Sequence, residues 1–411
     1  MDNWQDVIHY GVENKASDIF WKPGSHPCAK IRGSVNHLEQ YPKLTTEDTN
    51  NIAKSLMREG QWEQFIDVHE KDVGLTIEGT CRLRINIYCE RGNTCLVMRI
   101  IPLDILTVED LELPLVLNDI SASPQGLVLV TGPTGCGKST TLAAMLDFIN
   151  RKRKANMITV EDPIEYVHRD KSCIVSQREV GIDTLGFGPA LKYAMRQAPD
   201  VILIGEMRDT ETMSVAMQAA ETGHLVFSTV HTTSAAETME RIINMFPPHE
   251  KAQICMRMGK SLKAVIAQAL VPRKDQAGRI AALEIMVVNA TISKLIEEGR
   301  PGEAYQYIEE GAHYGMQTKN QALLKLYQEG KISGEHAQFY AGNYTEMRQM
   351  LRRVDGLAAD QQKDEDIAAK KAAAAAAARA RMAGQQQPGA APAQPGQGAP
   401  QAPQAPRPPQ Q

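Results

Sequence analysis

The sequence predicts an α/β protein in which an α+β N-terminal domain precedes a parallel-sheet domain and a polar tail. Three observations carry this. From Gly126 onward, short apolar runs alternate with Gly-rich turns and helix-like stretches, the pattern of a parallel sheet flanked by helices. Upstream, RLRINIYCERGNTCLVMRII (82–101) alternates apolar and polar residues on either side of ERGNT, which predicts an antiparallel hairpin. Beyond Asp360, alanine, proline and glutamine dominate, a composition that cannot bury a core.

The elements follow in order. LTTEDTNNIAKSLM (44–57) has an acidic start and apolar spacing suited to a helix. After the hairpin, TVEDLELPLVLNDISASPQ reads as a linker. GLVLV, Gly126 to Val130, is a short buried strand that runs into TGPTGCGKST and then a helix-like TTLAAMLDFINRK. The region from about Met258 is expected to be mostly helical, and KKAAAAAAARARMA is expected to be a helix ahead of a disordered end. The boundaries are therefore 1–110, a linker 111–125, a parallel-sheet domain with a helical C-terminal part 126–355 and a tail 356–411. A chain of 411 residues has room for two to three domains at ~100–200 residues each.

Composition excludes several classes. Hydrophobic residues make up 43%, enough for a core, and the net charge of −4 supplies no electrostatic reason to expect nucleic acid. No apolar run approaches the ~18 residues that span a bilayer. MDNWQDVIHYG lacks the basic and apolar segments of a signal peptide. The seven cysteines are odd in number and include no CxxC pair, as expected of reduced cytoplasmic thiols.

Gly132-Pro133-Thr134-Gly135-Cys136-Gly137-Lys138-Ser139 fits GxxxxGK[ST] in full, with a strand before it and a helix after it. Glycines let such a loop turn its N–H groups inward, and the helix N-terminus adds partial positive charge toward phosphate. Lys138 is expected to reach the β- and γ-phosphates of ATP, Ser139 to hold Mg²⁺, and Thr140 to continue the loop. Cys136 offers its backbone, with no role for its thiol.

MITVEDPIEYVH, Met157 to His168, puts Glu161, Asp162 and Glu165 at the end of a second strand, where the ligand end of a parallel sheet lies. A carboxylate there can orient or deprotonate an attacking water, although a solvated acidic loop has the same composition. DVILIGEMRD, Asp200 to Asp209, resembles a Walker B strand and sets Glu206 beside Mg²⁺ through water.

ETGHLVFSTVHTTSA brackets a buried strand with His224 and His231. Seven steps of ~3.3 Å separate the two by about 23 Å, and the odd spacing turns them to opposite faces. One metal or one phosphate cannot take both. His231 is expected at the nucleotide end as a γ-phosphate sensor, and His224 at the far end, transmitting the change. Two satisfied core-edge histidines are the competing reading.

The chain resembles the secretion-ATPase superfamily and, within it, the PilT/PilU pilus-retraction motors. The carriers are GPTGCGKSTTLA, TVEDPIEYVH, RQAPDVILIGEMRD and ETGHLVFSTVHT, in that order, and the likeness runs from about Ile8, through ASDIF, to about Arg353. It implies a PAS-like N-terminal domain, a RecA-like P-loop ATPase domain and a hexameric ring. It also implies Glu165 as general base, Glu206 as the Walker B glutamate and His224 and His231 as a histidine box. Arg82, Arg84 and Arg99 are implied to reach toward ATP from the N-terminal domain. By the pleat alone, Arg82 and Arg84 share one strand face, which a solvated sheet surface explains equally well.

The retraction-linked AIRNLI motif is replaced here by TISKLI, Thr291 to Ile296, and GMQTKNQALLKLYQEGKI (315–332) resembles the PilU type. Extension and type II secretion relatives carry a longer N-terminal region and a tetracysteine zinc module, neither of which is in this sequence. The resemblance implies a cytoplasmic, Mg²⁺-dependent ATPase driving type IV pilus retraction and twitching motility from the base of the pilus. Its partners would be other copies of itself, an inner-membrane platform protein and a paralogous retraction ATPase. A regulatory or assembly subunit with low turnover, or a related type II secretion or extension ATPase, are the alternatives.

Overall fold

The computed structural model describes residues 3–31, 33–101 and 103–356. The expected Ala-rich helix and Pro/Gln-rich tail lie outside the described residues.

The N-terminal region runs α1 (Trp4–Glu13), β1 (Ala16–Trp21), β2 (Cys28–Ile31), β3 (Ser34–His37), α2 (Thr46–Leu56), α3 (Gln61–Val68), β4 (Glu70–Ile77), β5 (Cys81–Glu90) and β6 (Asn93–Ile101). Its strands form one sheet in the order β3-β2-β1-β6-β5-β4, every pair antiparallel. Alternation decides its faces: Leu83, Ile85 and Ile87 of β5 are buried against Val7 and Ile8 of α1 and Ile52 and Ala53 of α2. A capping box between Thr45 and Asp48 starts α2 where its acidic start predicts.

The second region runs α4 (Val116–Ser121), β7 (Gly126–Thr131), α5 (Lys138–Lys152), β8 (Asn156–Glu161), β9 (Ile174–Glu179), α6 (Phe187–Ala194), β10 (Val201–Ile204), α7 (Thr210–Glu221), β11 (Leu225–Val230), α8 (Ala235–Met245), α9 (Lys251–Ser261), β12 (Leu262–Pro272) and β13 (Arg279–Val287). The sheet order is β13-β12-β7-β11-β10-β8-β9, parallel throughout except for β13. Every residue of β7, β10 and β11 is buried, as a parallel sheet covered on both faces requires. Leu127, Leu129, Ile202, Ile204 and Val226 pack toward α7, α8 and α9, whereas Val128, Val130, Leu203 and Phe227 pack toward α5.

Two expectations meet a different arrangement. Residues 262–287 are not helical: β12 lies beside β7, and β13 closes a long hairpin. LKAVIAQALVP is apolar on both sides because β12 is covered on both faces, and periodicity alone cannot tell such a run from a buried helix. Helices resume as α10 (Ala290–Glu297), α11 (Ala304–Glu310), α12 (Lys319–Gln328) and α13 (Gly334–Phe339). The segment read as a linker carries α4 and is packed rather than free, with Val108, Leu113, Leu117 and Ile120 buried beside Leu142 and Leu146 of α5. Among the described residues no helix is long and apolar enough to cross a membrane.

Candidate functional site

A cavity of about 490 Å³ lies at the C-terminal ends of β7, β8, β10 and β11, within the size range of small-ligand sites. It is lined by Thr134, Gly135, Gly137, Lys138, Ser139 and Thr140 from the Gly-rich loop and by Glu161, Asp162 and Glu165 from the loop after β8. Glu206 and Arg208 follow β10, His231 follows β11, and Arg84 and Arg99 enter from the antiparallel sheet.

The Gly-rich loop is built around backbone that L side chains cannot adopt. Gly132 has φ 144°, and a Cβ there would meet Gln268 O and Cys136 Sγ at 2.5 Å each. Gln268, buried on β12, clamps the loop from behind. Its Nε2 donates to Cys136 O at 2.7 Å and its Oε1 accepts from Thr141 Oγ1 at 2.7 Å. The N-cap of α5 is Gly137, which makes no side-chain cap hydrogen bond, so the first N–H groups face the cavity as an anion site. Lys138 Nζ donates to Gly132 O at 2.8 Å and Pro133 O at 3.1 Å, and Thr140 Oγ1 shares a 2.8 Å hydrogen bond with Tyr166 OH. Gly132, Pro133 and Cys136 shape the loop without lining the cavity. Burial pushes the Cys136 thiol up, which makes it a poor nucleophile.

The carboxylates differ sharply. Glu161, the last residue of β8, accepts from Thr159 Oγ1 at 2.7 Å and Gln177 Nε2 at 3.0 Å, and burial raises its pKa. Glu165 is 41% exposed at its side chain, and its nearest charge is Arg84, Nη1 to Oε1 3.9 Å. Glu206 is paired with Arg208 at 2.6 Å and with His231 Nε2 at 3.2 Å. The Arg208 hydrogen bond holds its carboxyl below the usual range, against the opposing effect of burial.

The histidines part company. His231 is at the cavity, while His224 lies at the opposite end of β11 with its Nδ1 2.8 Å from Ala219 O at the end of α7. The arginines also separate. Arg84 and Arg99 are paired across β5 and β6 and line the cavity, Arg99 Nε holding Asp18 Oδ1 at 3.0 Å. Arg82 does not line it. Arg82 is buried, with Nη2 2.6 Å from Glu179 Oε2. The shared face expected for Arg82 and Arg84 therefore leads to two destinations, because Glu179 on the edge strand β9 captures the first.

The sequence reading does not single out Gln268, Arg208 or His168. A lone glutamine inside an apolar strand is the one signal available for Gln268. His168 lines the cavity almost fully buried, its Nδ1 has no hydrogen-bond partner, and desolvation lowers its pKa to about 4.

Among the described residues no group of three or more His, Cys, Asp or Glu is arranged to hold a metal. Ser139 and Glu206 line one cavity and offer a hydroxyl and an ionised carboxylate. That sparse oxygen set fits Mg²⁺, which takes one or two protein ligands and fills the rest with phosphate and water.

The family described as "Type II/IV secretion system protein" matches residues 4–380. The type IV pilus retractation ATPase PilT of Pseudomonas aeruginosa is 43% identical over 332 residues, 81% of this chain and 96% of that protein. The type IV pilus ATPase PilU of the same organism is 39% identical over 349 residues, 85% of this chain and 91% of that protein. A crystal structure of the pilus retraction motor PilT with bound ADP superposes with a TM-score of 0.79 at 39% identity, covering 84% of this chain and 99% of that one.

Proposed function

Because this chain belongs to the type II/IV secretion system protein family, within its PilT/PilU group, we propose that it is a Mg²⁺-dependent ATPase powering type IV pilus retraction and twitching motility. The observation that carries the reading is the opposition across one cavity of the Gly-rich loop and helix α5 to Glu165, Glu206 and His231. The solved PilT relative holds ADP, which supports a nucleotide in this cavity.

The roles follow from chemistry. N–H groups of 134–140 and the Lys138 ammonium bind the β- and γ-phosphates. Ser139 would hold Mg²⁺ directly and Glu206 through water, and the ion would supply positive charge to offset that developing on the phosphates. Glu165, partly exposed and free of a tight ion pair, is the general base that orients water and takes its proton. Glu161 is a weaker candidate, because its oxygens are committed to Thr159, Gln177 and the backbone of Glu165. His231 couples Glu206 to the γ-phosphate, and His224 relays the change through α7. Arg84 and Arg99 offset charge on the triphosphate.

In this reading the antiparallel sheet region is a PAS-like domain and the parallel region a RecA-like domain. Copies of the chain form a hexameric ring at the cytoplasmic face of the inner membrane, acting on a polytopic platform protein. The PilU-type assignment, with a paralogous retraction ATPase as partner, rests on TISKLI at 291–296 and on the likeness of 315–332. In TISKLI, Ser293 Oγ donates to Gly259 O at 2.8 Å and pins α10 to α9. The identities of 43% and 39% to PilT and PilU are close and favour neither.

Deleting the gene alone and together with any paralogue, with direct scoring of pilus retraction, tests the reading. Loss of retraction force or rate in either background supports it. Normal retraction in both, together with no ATP turnover by the purified chain, favours the regulatory-subunit alternative.

A further inference from the structure

One ion pair holds both backbone groups of Ile164. The Ile164 N–H donates to Glu179 Oε2 at 3.2 Å, and the Ile164 carbonyl accepts from Arg82 Nε at 2.8 Å. Arg82 Nη2 meets the same Glu179 oxygen at 2.6 Å. Arg82 belongs to β5 of the antiparallel sheet and Glu179 ends β9 of the parallel sheet, so the pair joins the two sheets. Both side chains are buried.

The surroundings are shaped for this pair. Arg82 Nη1 donates to Thr76 Oγ1 at 3.1 Å, and Glu179 N donates to Asp183 Oδ2 at 2.9 Å. Gly74 leaves the necessary room, since a Cβ there would meet Arg82 Nη2 at 2.7 Å and both Glu179 carboxylate oxygens at 3.2 Å. The next residue after Ile164 is Glu165, and the next arginine on the same face of β5 is Arg84, 3.9 Å from Glu165.

We propose that Arg82 and Glu179 are positioning residues that clamp the Ile164 peptide, set the placement of Glu165 and make it depend on the seating of the N-terminal sheet. The inference rests on the reading of Glu165 as base. A plain tether between two sheets would need the ion pair alone. Here Glu179 also takes the N–H and Arg82 the C=O of the residue preceding the base, so separating the sheets withdraws Arg82 from the Ile164 carbonyl and from Glu179 at once. Arg82 thereby differs from Arg84 and Arg99, which face the cavity.

The test uses the full chain with Arg82→Leu/Glu179→Leu, which removes both charges and leaves neither buried alone, and with Glu179→Gln, read in the same way should the double variant fail to fold. Steady-state turnover, affinity for a fluorescent ATP analogue and amide exchange over 163–166 and 134–138 are measured. The clamp predicts kcat down about tenfold or more with analogue affinity within about twofold, the signature of a lost transition-state placement rather than lost binding. It also predicts faster exchange at Ile164 with no change in the Gly-rich loop. Arg82→Lys, which keeps the ion pair but not the Nε–H bond to Ile164 O, should fall between wild type and the double variant. Turnover within about twofold of wild type and unchanged Ile164 exchange would overturn the clamp, as would a loss of analogue affinity specific to Arg82 variants, which would mark a phosphate contact. If the wild-type chain turns over no ATP, the ATPase reading fails, and the Ile164 exchange still decides whether the clamp exists.

Discussion

His231 Nε2 lies 3.2 Å from Glu206 Oε1, so the residue after β11 is tied to the carboxylate after β10. The two strands are parallel neighbours in register, Ile204 opposite Ser228, and their C-terminal ends arrive together at the cavity. His224, at the other end of β11, bonds Ala219 O instead.

The two histidines should therefore fail differently. His231→Ala is expected to slow hydrolysis and reduce discrimination of ATP from ADP, while His224→Ala leaves nucleotide affinity nearly unchanged and weakens coupling to retraction. A double-mutant cycle on ATP affinity should be additive within about 0.5 kcal/mol, as for sites more than ~10 Å apart. Strong coupling in that cycle would place both residues in one network and contradict the separation.

Gln268 holds the Gly-rich loop from β12 through both ends of its amide. Gln268→Leu leaves Cys136 O and Thr141 Oγ1 without that partner in a buried setting. It should cost about 2 kcal/mol of stability and lower ATP affinity as well. Denaturant unfolding and nucleotide titration check the two effects separately. Unchanged values in both would mean the loop needs no support from β12.

Much of this site was legible from residues alone, for identifiable reasons. β7, β10 and β11 are covered on both faces and so read as mostly apolar runs, and the loop after β7 carries its own glycine signature. What lay beyond reach depended on distant partners. Arg82 and Arg84 look equivalent in RLRIN, and only Glu179, far along the chain on an edge strand, separates them. Residues 262–287 form strands where helix is expected, because alanine-rich apolar sequence suits a buried helix and a doubly covered strand alike. The packing of Leu113 and Leu117 against α5 likewise has no signature in a stretch rich in turn formers.

His168 should give the fold an acid-sensitive limb. Its pKa is lowered to about 4 by burial, from an unfolded value near 6.5, so the unfolded chain binds the proton more readily between those values. Stability is then present above pH ~6.5 and is lost as pH falls toward ~4, by about 3 kcal/mol from this group. His168→Phe should flatten the stability profile over that window. An unchanged slope in thermal unfolding from pH 7 to 4 would remove His168 as a cause.

Lys138→Ala removes the ammonium expected on the β- and γ-phosphates and should abolish most ATP binding with the fold intact. Isothermal titration with ATP reads this directly, and near-wild-type affinity would remove the phosphate assignment of the Gly-rich loop.

Single-turnover hydrolysis by Glu165→Gln, with ATP binding measured on the same preparation, bears most directly on the central claim. An amide in place of the carboxylate keeps the size and shape of the side chain but exchanges one acceptor oxygen for an NH₂ donor and cannot take a proton from water. Bound ATP at wild-type affinity with hydrolysis reduced about a hundredfold or more is the predicted result. Hydrolysis within a few-fold of wild type would contradict it, and the base would have to be sought at Glu161 or Glu206.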